Sequence, residues 1–207
     1  ARLSGIESEY AYAVYLLAGT LAWNYFAETT ASSISMFKDR ANLLKKINFP
    51  RVCIPLIVIG TTTVNHLILM TIILLIVWAL GIAPSESLML LPMLVLVNLG
   101  LALGLGMILA VFDVFARDIG HLWQVIVQFW FWLTPIVYVA DILPDAVQEI
   151  LKYNPMYWIV NGYQQAIAYG NIPDLQPFAI ISAVILVLLS FGFVLFVRAS
   201  SDIVDAL

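Results

Sequence analysis

The sequence predicts an all-α integral membrane protein, a polytopic helical bundle with five membrane spans. Three observations carry that prediction. Of the 207 residues 63% are apolar and only 11% are charged, against about 25% charged in an average soluble domain, and the mean hydropathy is +1.00. Apolar runs of membrane-spanning length recur along the whole chain. None of them alternates in the ten-residue manner of a barrel strand, and open strands cannot satisfy their backbone in lipid.

A spanning helix needs about 20 predominantly apolar residues. The first candidate, Tyr10–Phe37, is long enough but interrupted by Asn24, Glu28 and a Thr/Ser cluster. Cys53–Leu80, Leu88–Phe112, Ile119–Val139 and Pro177–Val197 qualify cleanly. Orientation follows from the basic residues, which concentrate on the cytoplasmic side. Lys38, Arg40, Lys45, Lys46 and Arg51 lie between the first two spans, Arg117 precedes the fourth, and Arg198 follows the fifth. The opposite side holds only Arg2 and Lys152, with Asp141, Asp145, Glu149 and Asp174 between the fourth and fifth spans. Residues 38–51 and 198–207 are therefore expected inside, and 81–87 and 140–176 outside. Five spans then put residue 1 outside. The chain begins with Ala1 and has no signal-peptide pattern, so a preceding span is expected, six in all, with residues 1–207 forming one N-terminally incomplete transmembrane domain.

Residues 38–51, KDRANLLKKINFPR, predict a short helix with Ala41, Leu43, Leu44 and Ile47 as its apolar stripe. Pro50 ends it, because the residue before proline is pushed out of the helical region. Two readings stand: a basic loop resting on anionic headgroups, which composition alone favours, and a docking helix for a cytoplasmic partner. The stretch 140–176 is too polar to span and too aromatic for an idle loop. Ile142–Tyr153 is amphipathic, Asn154-Pro155 breaks it, and Met156–Tyr169 carries Tyr157, Trp158, Tyr163 and Tyr169. Two short helices dipping into the outer face fit this pattern, since Trp and Tyr favour the interface. An interfacial aromatic belt with no further role fits it too.

Gly100, Gly104 and Gly106 form a small-residue face in the third span, suited to close helix packing. Glu28 is the one acid well inside a run, costly there and therefore a functional candidate. It lies near the inner end of its span, where it can also point to a polar interior. Asn65 and His66 fall in mid-span, His121 at an inner edge, and a lone His in such a place is more often hydrogen-bonded to a neighbouring helix than a ligand. Gln124 and Gln128, four apart with Trp123 beside them, make a pore-lining stripe.

Other classes lack their marks. A net charge of −4 argues against nucleic-acid binding. Cys53 is the single cysteine, which excludes disulfide frameworks and cysteine metal sites. No phosphate-cradling G-x-x-x-x-G-K-[ST], H-E-x-x-H or G-x-S-x-G is present, and no base with an orienting partner is evident. An ion-coupled transporter would show charge pairs or repeated broken helices, and a channel a filter motif. A permease energised by another polypeptide remains.

Several phrases carry a resemblance: YLLAGTLAWNYFAE at 15–28, NLLKKINFPR at 42–51, VFARDIGHL at 114–122, FWLTPIVY at 131–138, LKYNPMYWIVNGYQQ at 151–165 and the terminal SSDIVDAL. Through them the chain resembles the permease subunits of ATP-binding-cassette exporters for O-antigen, teichoic acid and capsular polysaccharide. The resemblance implies six helices per permease, two permeases per transporter in a bacterial cytoplasmic (inner) membrane, and separate nucleotide-binding subunits. ATP and Mg would then bind the partner, with no cofactor in this chain. The resemblance turns residues 38–51 into a coupling helix, with Asn42, Leu43, Leu44, Lys45, Lys46, Phe49 and Arg51 meeting the ATPase, and makes residues 141–170 re-entrant helices capping the outer end. Membrane lipid and a glycan or lipid-linked glycan are the remaining expected partners. Exporters of lipo-oligosaccharides or drugs are the alternative, followed by an ion-coupled transporter. A sliding glycan chain calls for flat apolar rings and hydrogen-bonding neighbours, so Tyr25, Trp123, Gln124, Gln128, Trp130, Tyr157, Trp158 and Tyr163 are its candidate path. Packing or lipid contact is the competing role for each ring.

Overall fold

The computed structural model describes residues 10–40, 53–116 and 118–206, with side chains as far as Ala199. Every regular element among them is helical. Helix α1 (Ala11–Asp39) and α2 (Cys53–Ala79) are followed by a 3₁₀ turn at Glu86–Leu90 that leads into α3 (Leu91–Phe115). Then come α4 (Ile119–Leu133), the short α5 (Asp145–Leu151), α6 (Pro155–Gln164) with a π-helical extension over Gln165–Tyr169, and α7 (Gln176–Ala206).

Helices α1 and α3 form the centre, α2 covers α1, and α7 covers α3. In its most apolar window α3 is 67% buried, against 22% for both α2 and α7. Outward-facing Leu56, Ile68, Ile72 and Leu75 of α2, and Ile180, Leu186, Val187 and Phe191 of α7, are exposed by the chain itself. Apolar surface on that scale needs an apolar solvent or a partner. The glycines of α3 divide between two neighbours. A Cβ on Gly100 or Gly104 would come within 2.7 Å of Ile185 or 2.8 Å of Leu188 on α7, whereas one on Gly106 would meet Ser33 of α1 at 2.5 Å. The single small-residue face expected from sequence is therefore two faces, because positions 104 and 106 point to different sides of a helix.

Among the described residues three helical stretches are long and apolar enough to cross a membrane: Cys53–Ala79, Glu86–Phe115 and Gln176–Ala199. Helix α1 has the length, 29 residues, but its hydroxyl-, Asn- and Glu-bearing positions make it less apolar. Several of those hydroxyls return to their own helix: Thr20 donates to the Leu16 carbonyl at 2.8 Å, Thr30 to Phe26 at 2.9 Å and Ser33 to Thr29 at 2.7 Å. Such back-bonding lets hydroxyls stay inside a membrane helix.

Helix α4 stops short of its expected end at Val139. Thr134 is extended at φ −107° and ψ 130°, as a residue before Pro135 must be. The 15 residues that remain reach only about 22 Å at the usual helical rise. The break at 154–155 is a helix start: Asn154 caps α6 by accepting from the Met156 amide at 3.0 Å, and Pro155 takes the first-turn position, where its missing N–H costs nothing.

Candidate functional site

Four side chains from three helices meet inside the bundle. The Tyr25 ring of α1 stacks on His66 of α2 at 4.1 Å between centroids, and its hydroxyl shares a 2.8 Å hydrogen bond with Thr63. His66 in turn shares a 3.1 Å hydrogen bond with Tyr163 of α6. Tyr163 is fully buried and His66 nearly so. Sequence reasoning placed Tyr25 and Tyr163 on one path and His66 against a neighbouring helix. The structure joins all three, and the tie fastens the short helix α6 onto α1 and α2. Close by, Asn65 donates to Glu28 at 2.7 Å, which gives the in-span acid a neutral partner.

A second group lies between α1 and α4. Trp23 packs edge-on against Trp130 and Phe131, Phe26 against Trp130, and Trp123 against Trp130. Trp130 also donates to Asn154 at 3.0 Å, and Asn154 donates to Thr134 at 3.1 Å, so the cap of α6 is bonded to the end of α4. Trp123 is 8% exposed, whereas Gln124 and Gln128 are exposed. Trp123 packs against Phe26 of α1, and Gln124 lines a cavity beside it with Ala31 and Ser35.

In α6 Tyr157 and Trp158 pack edge-on, 5.0 Å apart, and both are half-buried. Trp158 donates to the Lys152 carbonyl at 2.9 Å. Burial, with Asp141 close by, pushes the Tyr157 hydroxyl above its ordinary pKa. The hydrogen bond with Glu149, and then its charge, push Lys152 upward as well.

Two features escaped sequence reasoning. Thr20, Asn24, Glu28, Ala31 and Ser35 make a small, polar strip of α1 that the rest of the chain leaves partly or fully exposed. Their spacing of three to four residues was the available signal. The other is Asp113, at the end of the third apolar run and 4% exposed through its side chain. One carboxylate oxygen pairs with the Lys38 ammonium at 2.7 Å. The other accepts from the Gly120 amide, in the first turn of α4, at 2.9 Å. The sequence places Lys38 at the start of the docking segment 38–51, whereas the structure puts it in the last turn of α1. The proposed ATPase contacts Asn42, Leu43, Leu44, Lys45, Lys46, Phe49 and Arg51 lie outside the described residues.

The family model for ABC-2 type transporters matches residues 2–168. The chain belongs to the ABC-2 type transporter family. It is accordingly a membrane-embedded transport subunit of a family that implies an ATP-binding partner. Among similar proteins, the O-antigen export system permease protein RfbA of Myxococcus xanthus is 31% identical over 177 residues, covering 84% of this chain and 68% of its own length. Two Klebsiella pneumoniae proteins of the same name are each 26% identical, over 162 and 160 residues. This ABC-2 chain spans only 62% of the length of either.

Proposed function

We propose that this ABC-2 chain is the membrane-spanning subunit of an ATP-driven exporter that moves a polysaccharide or lipid-linked glycan across a bacterial cytoplasmic membrane. The observation that carries the reading is the 31% identity to an O-antigen export permease over 84% of the chain. In this reading the chain has five spans, α4 with the turn after it serving as the fourth, and a second copy completes the transporter. Residues 38–51 dock on a separate nucleotide-binding subunit, and 140–176 cap the outer face.

The polar strip of α1 supports a path on that side. Asn24 and Glu28 are expensive against hydrocarbon and call for cover by protein or water. Gln124 borders the same strip, since it lines a cavity of about 200 Å³ with Ala31 and Ser35. The path thus runs along α1 and the Gln face of α4, with Tyr157 and Trp158 near its outer mouth. Trp123 and Trp130 support it from behind, and Tyr25 and Tyr163 hold α6 over it.

Deletion of the gene in its own host tests the reading. Surface glycan should fall and lipid-linked glycan accumulate inside, with recovery on re-expression. Unchanged surface glycan, together with loss of resistance to a drug or loss of a lipo-oligosaccharide, would replace glycan by that other substrate.

A further inference from the structure

Residues 41–52 are reached from α1 through Lys38, and the polar contact at that end of the bundle is unusual in its economy. A single buried carboxylate, Asp113, holds both the Lys38 ammonium at 2.7 Å and the backbone amide of Gly120 at 2.9 Å. The first belongs to the last turn of α1, the second to the first turn of α4, and Asp113 itself to the last turn of α3. Three helix ends therefore converge on one side chain. The other ion pair among the described residues, Lys152–Glu149, is exposed and joins neighbours within the outer segment.

The surroundings make this contact mechanical as well as adhesive. Farther along, α1 and α4 pack through Trp23, Phe26, Trp123 and Trp130. At the Lys38 end a cavity of about 200 Å³ separates them, lined by Ile34, Ser35, His121 and Gln124 among others. Close-packed interfaces transmit a push through contact, and an open seam does not. Across this seam the charge-assisted bonds of Asp113 take over that role, and bonds to an ionised group are the strong ones.

We infer that Lys38 and Asp113 are positioning residues that transmit movement of the docking segment to α4. The inference rests on the exporter reading above and adds a route to it: a displacement of residues 41–52 pulls Lys38, Lys38 carries Asp113, and Asp113 carries the N-terminal turn of α4 through Gly120. Gln124 sits one turn farther on, so the start of the path moves with the docking segment.

Three variants separate transmission from mere adhesion. Lys38→Met keeps the aliphatic stem and removes the charge. Asp113→Asn keeps an oxygen for the Gly120 amide and removes the attraction to Lys38. The double variant avoids the unpaired buried charge that makes removing one partner of a buried pair strongly destabilising. Each permease is purified with its ATPase and reconstituted in vesicles of the host's own lipids. Three quantities are then read: thermal midpoint, ATP hydrolysis, and export of radiolabelled lipid-linked glycan extracted from host membranes. The double variant should assemble with a midpoint near wild type and hydrolyse ATP, yet export about fivefold less glycan per ATP, within the range known for residues that modulate coupling. Wild-type export per ATP in the double variant would overturn the inference, because the pair would then only hold the fold together. Failure of the double variant to assemble would also overturn it, since adhesion alone would explain the pair. No ATP-driven export by the wild type would instead remove the exporter reading, and this route with it.

Discussion

At the residue scale, several side chains do more than their type announces. Asn154 looked like half of a helix break, yet it caps α6, accepts from Trp130 and donates to Thr134. Asn154→Ala should therefore lower stability by about 1–2 kcal/mol, the upper part of the range for a lost cap, visible as a lower thermal midpoint in detergent. No change in midpoint would show that the cap is dispensable. Glu28 accepts from Asn65, an arrangement that Glu28→Gln can preserve through its remaining oxygen. Transport by that variant should survive and still require ATP. Export that fails with Gln while a pH gradient drives it in ATP-free wild-type vesicles would favour an ion-coupled mechanism. Sequence showed that His66 was a candidate for bonding to another helix, but not which one. Tyr163 lies 97 positions away, and no local pattern encodes such a pairing. Asp113 was missed for a similar reason: it ends an apolar run, where acids are ordinarily solvated, and only the tertiary fold buries it.

At the element scale, the apolar runs made the long helices legible, because hydrophobic length is a one-dimensional property. Helix α7 begins at Gln176, one residue before the expected Pro177. The end of α4 was legible in principle, since Thr134 precedes Pro135, but the apolar run through Val139 masked it. Packing partners were not legible: the glycines of α3 gave small size but not direction. Gly104→Leu should push α3 from α7, because even a Cβ would sit 2.8 Å from Leu188 and 3.3 Å from the Leu189 backbone amide. Overpacking of this kind costs about 1–3 kcal/mol or more, so a clearly lower yield of folded protein in size-exclusion chromatography is expected. At Gly60, where a Cβ meets nothing within 4 Å, the same substitution should be tolerated. Equal behaviour of the two variants would contradict the α3–α7 contact. The outer rings belong to this scale too. Tyr157→Leu and Trp158→Leu should reduce glycan export with assembly intact, and normal export by both would assign these rings to scaffold.

At the scale of the whole molecule, the apolar flanks of α2 and α7 and the polar strip of α1 divide the surface into regions with different needs. Lipid satisfies the first and cannot satisfy the second, which is why a second copy and an aqueous path are proposed on the α1 side. The charge distribution adds an orientation. In a variant without Cys53, a cysteine at position 145 should react with a membrane-impermeant maleimide in intact cells, and one at position 45 should not. The opposite pattern would invert the topology. The central claim is that the chain exports glycan with energy from an ATPase partner, and reconstitution tests it most directly. The permease and its co-purified ATPase are placed in vesicles with radiolabelled lipid-linked glycan extracted from host membranes, and translocation is followed with and without ATP. The account predicts translocation that requires ATP and stops when the partner is omitted. Translocation that continues without ATP, or ATP hydrolysis by the complete transporter with no glycan moved, would contradict it.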